Sequence, residues 1–102
     1  MATEVRWTPQ ALEDVSNIGD FISRDSFHYA QVQIARLIFR TEILEKFPLA
    51  GRVVPELNDP SIRELIEGSY RIVYRVVSPE LVDVVTIHHA NRLLSNNPKL
   101  AR

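Results

Sequence analysis

The chain contains no cysteine, which excludes disulfides, thiolate nucleophiles and cysteine-based zinc sites. Lysine is scarce: Lys46 and Lys99 are the only two among twelve basic residues, and the rest are arginine. No apolar run approaches the roughly 20 residues needed to span a bilayer. The opening Met1-Ala2-Thr3-Glu4-Val5-Arg6 lacks the basic-then-apolar pattern of a secretion signal. These absences predict a cytoplasmic protein with no membrane association. A strong charge of one sign is also missing, since 12 basic residues stand against 13 acidic ones for a net charge of −1. Broad recognition of a phosphate backbone calls for a clear positive excess, so any positive patch must be local. Residues 1–50 carry five basic and seven acidic side chains, and residues 51–102 carry seven and six. Arginine in place of lysine favours bidentate recognition of carboxylate or phosphate.

What is present describes an ordinary globular chain. At 102 residues, 45% apolar and 25% charged, it has the size and composition of one domain. The expected domain covers residues 1–95, and Ser95-Asn96-Asn97-Pro98-Lys99 opens a frayed tail over 96–102.

Val5-Arg6-Trp7 reads as a first strand. Thr8-Pro9 is a helix start, with a hydroxyl N-cap and proline in the first helical position. Leu12, Val15, Ile18 and Ile22, with Phe21 alongside, predict an apolar helix face over about 9–23. Gly19 invites close approach of a neighbouring helix. Arg24-Asp25-Ser26 is a break in which Asp25 or Ser26 can cap a second helix over about 27–46. In that helix Phe27, Ala30, Ile34, Leu37, Thr41 and Leu44 recur at threes and fours, flanked by Ile38 and Phe39. So short a break predicts an antiparallel helix hairpin, with His28 and Tyr29 at its surface. Pro48 to Arg52 is a loop and Val53 to Pro60 is irregular. Strands are expected over Ile62–Glu67, Tyr70–Val77 and Leu81–His89, with Ala90–Leu94 as a closing segment. The order β-α-α-β-β-β predicts an α+β domain, a helix hairpin packed on one face of a small, mainly antiparallel sheet. The other sheet face is left for function.

The register of the last hairpin decides which charges meet. A three-residue turn opposes Val77 to Leu81 and continues as Arg75–Asp83, Val73–Val85 and Arg71–Ile87. It predicts an Arg75–Asp83 ion pair and puts Arg71 and His89 on one face. Ile72, Tyr74, Val76, Val82, Val84 and Thr86 then lie under the helices. A two-residue turn instead opposes Arg71 to His88. The first register is preferred because it gives Asp83 a partner. A metal site of Glu56, His88 and His89 is disfavoured, because adjacent residues of a strand point to opposite faces.

The combination of this element order with Pro48…Gly51-Arg52, Pro55-Glu56, Ile62-Arg63-Glu64-Leu65, Tyr70-Arg71-Ile72-Val73-Tyr74 and His89…Arg92 resembles the RelE/ParE superfamily of type II toxin–antitoxin toxins. The resemblance covers nearly all of residues 4–94. It implies a growth inhibitor that needs no cofactor or metal and is neutralised in a hetero-oligomer with a cognate antitoxin. Relatives divide between ParE-like toxins, which poison DNA gyrase, and RelE- and YoeB-like toxins, which cut messenger RNA on the ribosome. Gyrase inhibition is the preferred expectation and the endoribonuclease the alternative; a small non-toxic adaptor domain is a third.

The nuclease reading has a definite chemistry. Without a metal, RNA cleavage needs a base for the 2′-hydroxyl, a cation for the phosphorane and an acid for the leaving oxygen. By motif position the resemblance assigns these to Glu56, Arg71 and His89, with Arg52, Arg63, Arg75 and Arg92 as candidate binding residues. The chain departs from that pattern where Ala90 follows the histidine in place of tyrosine, and in its shortage of lysine. Each residue also has an ordinary structural role open to it: Glu56 paired with Arg52 or Arg63, Arg71 anchoring the sheet through a carboxylate, His89 at the surface.

Overall fold

The computed structural model describes residues 2–90. Strand β1 (Glu4–Trp7) leads into α1 (Pro9–Ser23), and α2 (Phe27–Thr41) follows with a 3-10 turn over Glu42–Glu45. Four further strands complete the sheet: β2 (Arg52–Val53), β3 (Ile62–Glu67), β4 (Tyr70–Ser78) and β5 (Leu81–His89). Their spatial order is β1-β5-β4-β3-β2, antiparallel except where β1 runs parallel to β5. The two-residue β2 is an addition to the predicted order, and the second helix tightens at Glu42 instead of running on to 46. The expected segment 90–94 lies outside the described residues beyond Ala90, as does the tail.

Local chemistry accounts for the helices. The Thr8 hydroxyl accepts the Ala11 N–H as N-cap of α1 and donates to the Val85 carbonyl at 2.9 Å, so one side chain starts the helix and fastens it to β5. Ser26 caps α2 through the Tyr29 N–H. The helices touch where a Cβ on Gly19 would stand 2.7 Å from Ile34 Cδ1. Their buried faces cover Leu65, Ile72, Tyr74, Val82, Val84 and Ile87 on the sheet. Leu12, Phe21, Phe27, Ile38 and Phe39, expected at or beside the apolar stripes, are instead exposed.

The β4–β5 hairpin corrects the expected register in an instructive way. Ser78 opposes Leu81 across a two-residue turn, and an extra residue at Val77 then brings Val76, Arg75 and Tyr74 opposite Val82, Asp83 and Val84. A second extra residue, Val85, restores the first alignment, so Val73, Ile72, Arg71 and Tyr70 face Thr86, Ile87, His88 and His89. The preferred register holds only between the two bulges. Beyond the second, the two-residue alternative applies, and Ile87 replaces Thr86 under the helices. The bulge falls where β1 has ended at Trp7. There β5 takes its edge partners from α1 and its cap: the Thr8 N–H donates to Val84 O, the Thr8 hydroxyl donates to Val85 O, and Asp14 Oδ2 accepts the Ile87 N–H at 3.0 Å.

The far face is not bare either. The segment after β2 folds back over it, burying Val54 against Ile62 and Val73, with Leu57 and Val85 at the margin.

Candidate functional site

The chain that crosses this far face brings Glu56 onto β4. Arg71, 4% exposed, donates from Nη1 and Nη2 to both Glu56 carboxylate oxygens at 2.7 and 2.9 Å. Its Nε donates to Glu64 Oε1 at 2.6 Å, and the other Glu64 oxygen accepts from Arg52. The outcome is a row, Arg52–Glu64–Arg71–Glu56, in which the Glu64 side chain is fully buried and Arg52 lies mostly in solvent. The hydrogen bonds that Arg71 donates to Glu56, and after them those it donates to Glu64, raise its pKa against the opposing effect of burial. A buried pair of this kind is costly to break, because removal of one member strands the other charge.

Strand alternation explains the convergence. Arg71 and Val73 share the face away from the helices, as do Ile62 and Glu64 on the neighbouring strand. Glu64 lies diagonal to Arg71, which opposes Ile66. The importance of Glu64 escaped the sequence reading, although the Ile62-Arg63-Glu64-Leu65 alternation already places it on the same face as Ile62.

The other expected residues disperse. Arg75 shares the Arg71 face and opposes Asp83 as predicted, but Asp83 forms its ion pair with Arg6 on β1, Nε to Oδ1 at 3.0 Å, instead of with Arg75. Parallel pairing sets Arg6 beside Asp83, a contact invisible without the β1 placement. The Asp83 hydrogen bond also raises the Arg6 pKa. Arg63 turns towards backbone, donating to Pro60 O at 3.1 Å and Gly51 O at 3.0 Å, which fastens the loop before β2. Arg92 lies outside the described residues.

The second bulge exchanges the two histidines. His88, not His89, stands across from Arg71 on the far face, while His89 faces Tyr70 with an edge-on ring contact of 5.6 Å between centroids. His88 Nε2 lies 3.3 Å from the Thr86 hydroxyl, which donates to Asp14 Oδ2. Gln10 donates to the other Asp14 oxygen at 2.7 Å. Asp14, Thr86 and His88 thus form a polar chain from α1 to the Arg71 face, and only the bulge reveals it.

Comparison with known proteins agrees with this architecture. Residues 5–94 match the family model described as the ParE toxin of the type II toxin–antitoxin system parDE. The toxin RelE2 of Caulobacter vibrioides is 34% identical over 90 residues, covering 88% of this chain and 98% of that protein. A chain from the chromosomal ParDE system of P. aeruginosa superposes with a TM-score of 0.71 at 19% identity, covering 85% of this chain and 95% of that one. One from the RelBE2 toxin–antitoxin complex of Mycobacterium tuberculosis gives 0.62 at 20% identity, covering 87% and 99%. With its sheet, helix hairpin and sequence all matching, the chain belongs to the ParE toxin family of type II toxin–antitoxin systems, within the RelE/ParE superfamily.

Proposed function

We propose that the protein is a growth-inhibiting toxin neutralised by a cognate antitoxin, and that it acts by gripping a protein target, DNA gyrase being the family precedent, without cutting RNA. The observation that carries this reading is the closed Arg71–Glu56 pair. A cleaving toxin needs Glu56 ready to take a proton and Arg71 ready to meet a phosphorane. Here each engages the other through two hydrogen bonds, and Glu64 holds the remaining Arg71 nitrogen. The near-neutral net charge is also a poor match for an RNA-guiding surface.

One observation favours the endoribonuclease instead: His88 stands opposite Arg71, giving that face a carboxylate, a guanidinium and an imidazole. Induced expression separates the two. Gyrase-linked DNA breaks with intact messages support the first reading, and primer-extension stops within translated codons would overturn it in favour of the second.

A further inference from the structure

The helix layer leaves large apolar side chains in water: Leu12 and Phe21 on α1, and Phe27, Tyr29, Ile38 and Phe39 on α2. Arg24 lies 5.7 Å from the centre of the Phe21 ring and still leaves that residue 65% exposed. Folding gains nothing from so many exposed apolar residues on one layer, and a patch of this kind marks an interaction surface. Helical spacing places them. Gly19 meets Ile34 where the helices touch. Leu12 lies about two turns before Gly19, and Ile38 about one turn after Ile34. In antiparallel helices both therefore line the same end of the groove between α1 and α2. Phe27, about two turns before Ile34, lines the other end. Phe21 lies on the outer flank of α1, and Tyr29 and Arg36 on the outer flank of α2.

Charge identifies the occupant. Helix α1 carries Glu13, Asp14 and Asp20 and no basic residue, while α2 carries Arg36 and Arg40 and no acidic one. Glu13, Asp20 and Arg36 are exposed and belong to no ion pair among the described residues. The near-zero net charge thus conceals a surface divided, helix by helix, into an acidic and a basic half. Residues 91–102, with Arg92, Lys99 and Arg102 and no acid, answer α1 and not α2. A second copy answers both. A twofold axis running along the groove lays each α1 on the α2 of the other copy, acid against arginine. An axis across the groove would set acid against acid.

We infer that the chain pairs with a second copy of itself, helix hairpin on helix hairpin, about an axis along the α1–α2 groove. Leu12, Ile38 and Phe27 of both copies then gather at the axis, and Phe39 lies under the partner's α1. Counted along the antiparallel helices from Gly19 and Ile34, Glu13 comes level with the partner's Arg40, and Asp20 comes within about one turn of the partner's Arg36. Phe21 reaches the flank that holds Tyr29. The Arg71 face, on the other side of the sheet, stays open in this dimer.

The test measures the mass of the full chain, purified alone, by sedimentation equilibrium at low salt. The wild type should form a dimer, twice the 11.7 kDa of one chain, at about 10 μM. Leu12→Asp with Ile38→Asp, both at exposed positions, should raise the dissociation constant at least about thirtyfold while the circular dichroism stays that of the wild type. Asp20→Arg alone, or Arg36→Glu alone, sets like charges together at both symmetry-related contacts and should weaken pairing about tenfold. An equimolar mixture of these two variants re-forms both contacts in one mixed dimer and should recover the wild-type affinity. Ile66→Asp, on the far face, should leave pairing unchanged. A mixture that pairs no better than either variant alone would overturn the arrangement. A wild type still monomeric at about 100 μM would overturn the dimer, and hairpin variants that then lose only antitoxin binding would give the face to that partner instead.

Discussion

His88 opposes Arg71 across the β4–β5 ladder, while His89 opposes Tyr70 on the side that carries the helices. The exchange follows from Val85, one residue inserted into β5, because the side-chain period of a strand is two. The pair gives a clean discrimination by mutation. If the Arg71 face acts on RNA, His88→Ala should lower cleavage by about a hundredfold or more, and His89→Ala should change it little. If the toxin acts through gyrase without cleavage, primer extension should show no stops in either variant, and toxicity should survive His89→Ala.

The Arg52–Glu64–Arg71–Glu56 row predicts a large and unequal stability response. Arg71→Met leaves Glu64 buried without its guanidinium and should cost about 3–5 kcal/mol, read as a lower urea midpoint. Arg52→Met removes a mostly exposed partner and should cost no more than about 1 kcal/mol. Equal losses would contradict the burial asymmetry of the two arginines.

Tyr74 is fully buried, and its hydroxyl accepts the Gly51 N–H at 2.8 Å. Burial raises its pKa above 10.0, outweighing the Gly51 hydrogen bond, which lowers it. The native state therefore holds this proton more tightly than the unfolded chain. The corresponding stability is fully present below pH 10 and is lost as pH rises beyond it. Tyr74→Phe should cost about 1–3 kcal/mol at neutral pH by leaving the Gly51 N–H unpaired, and should reduce the alkaline fall in stability. Melting temperatures of both proteins between pH 7 and 11 test the sign.

Gly51 makes that contact possible. A Cβ there would lie 2.5 Å from the Glu64 carbonyl oxygen and 2.8 Å from the Tyr74 ring. Gly51→Ala should therefore destabilise by several kcal/mol, on the order of 3, as other overpacked sites do. Thermal melting measures it, with Tyr74→Phe as the reference.

Gln33 offers a gain. It is buried on α2, and its Nε2 has no hydrogen-bond partner among the described residues. Gln33→Met keeps the length of the side chain and removes the unpaired donor. It should stabilise by about 1 kcal/mol, read as a higher urea midpoint with an unchanged slope.

Local pattern was sufficient for most of the fold. Thr8-Pro9 and Ser26 mark helix starts through hydroxyl caps, and the three long strands follow the β-branched runs within a residue. These features depend on neighbours a few residues apart, so one dimension of information suffices. The candidate face was legible in part: Glu56 and Arg71 stood out, and they do meet. Their meeting depends on a loop return across 15 residues that no periodicity encodes.

What tertiary structure decided comes down to registers and choices of partner. Asp83 could pair with Arg75 or Arg6, and the parallel docking of β1 settled it. Arg71 could meet either histidine, and the Val85 bulge, stabilised by Thr8 and Asp14 at the end of β1, selected His88. On α2 the stripe read from the sequence includes Phe27, which is exposed, while Ala30, Leu37 and Thr41 of the same stripe are buried, because only those positions are covered by the rest of the fold. Composition and spacing determine that a residue is apolar or charged. Only the folded chain determines what stands across from it, since a shift of one residue in a strand turns every later side chain over.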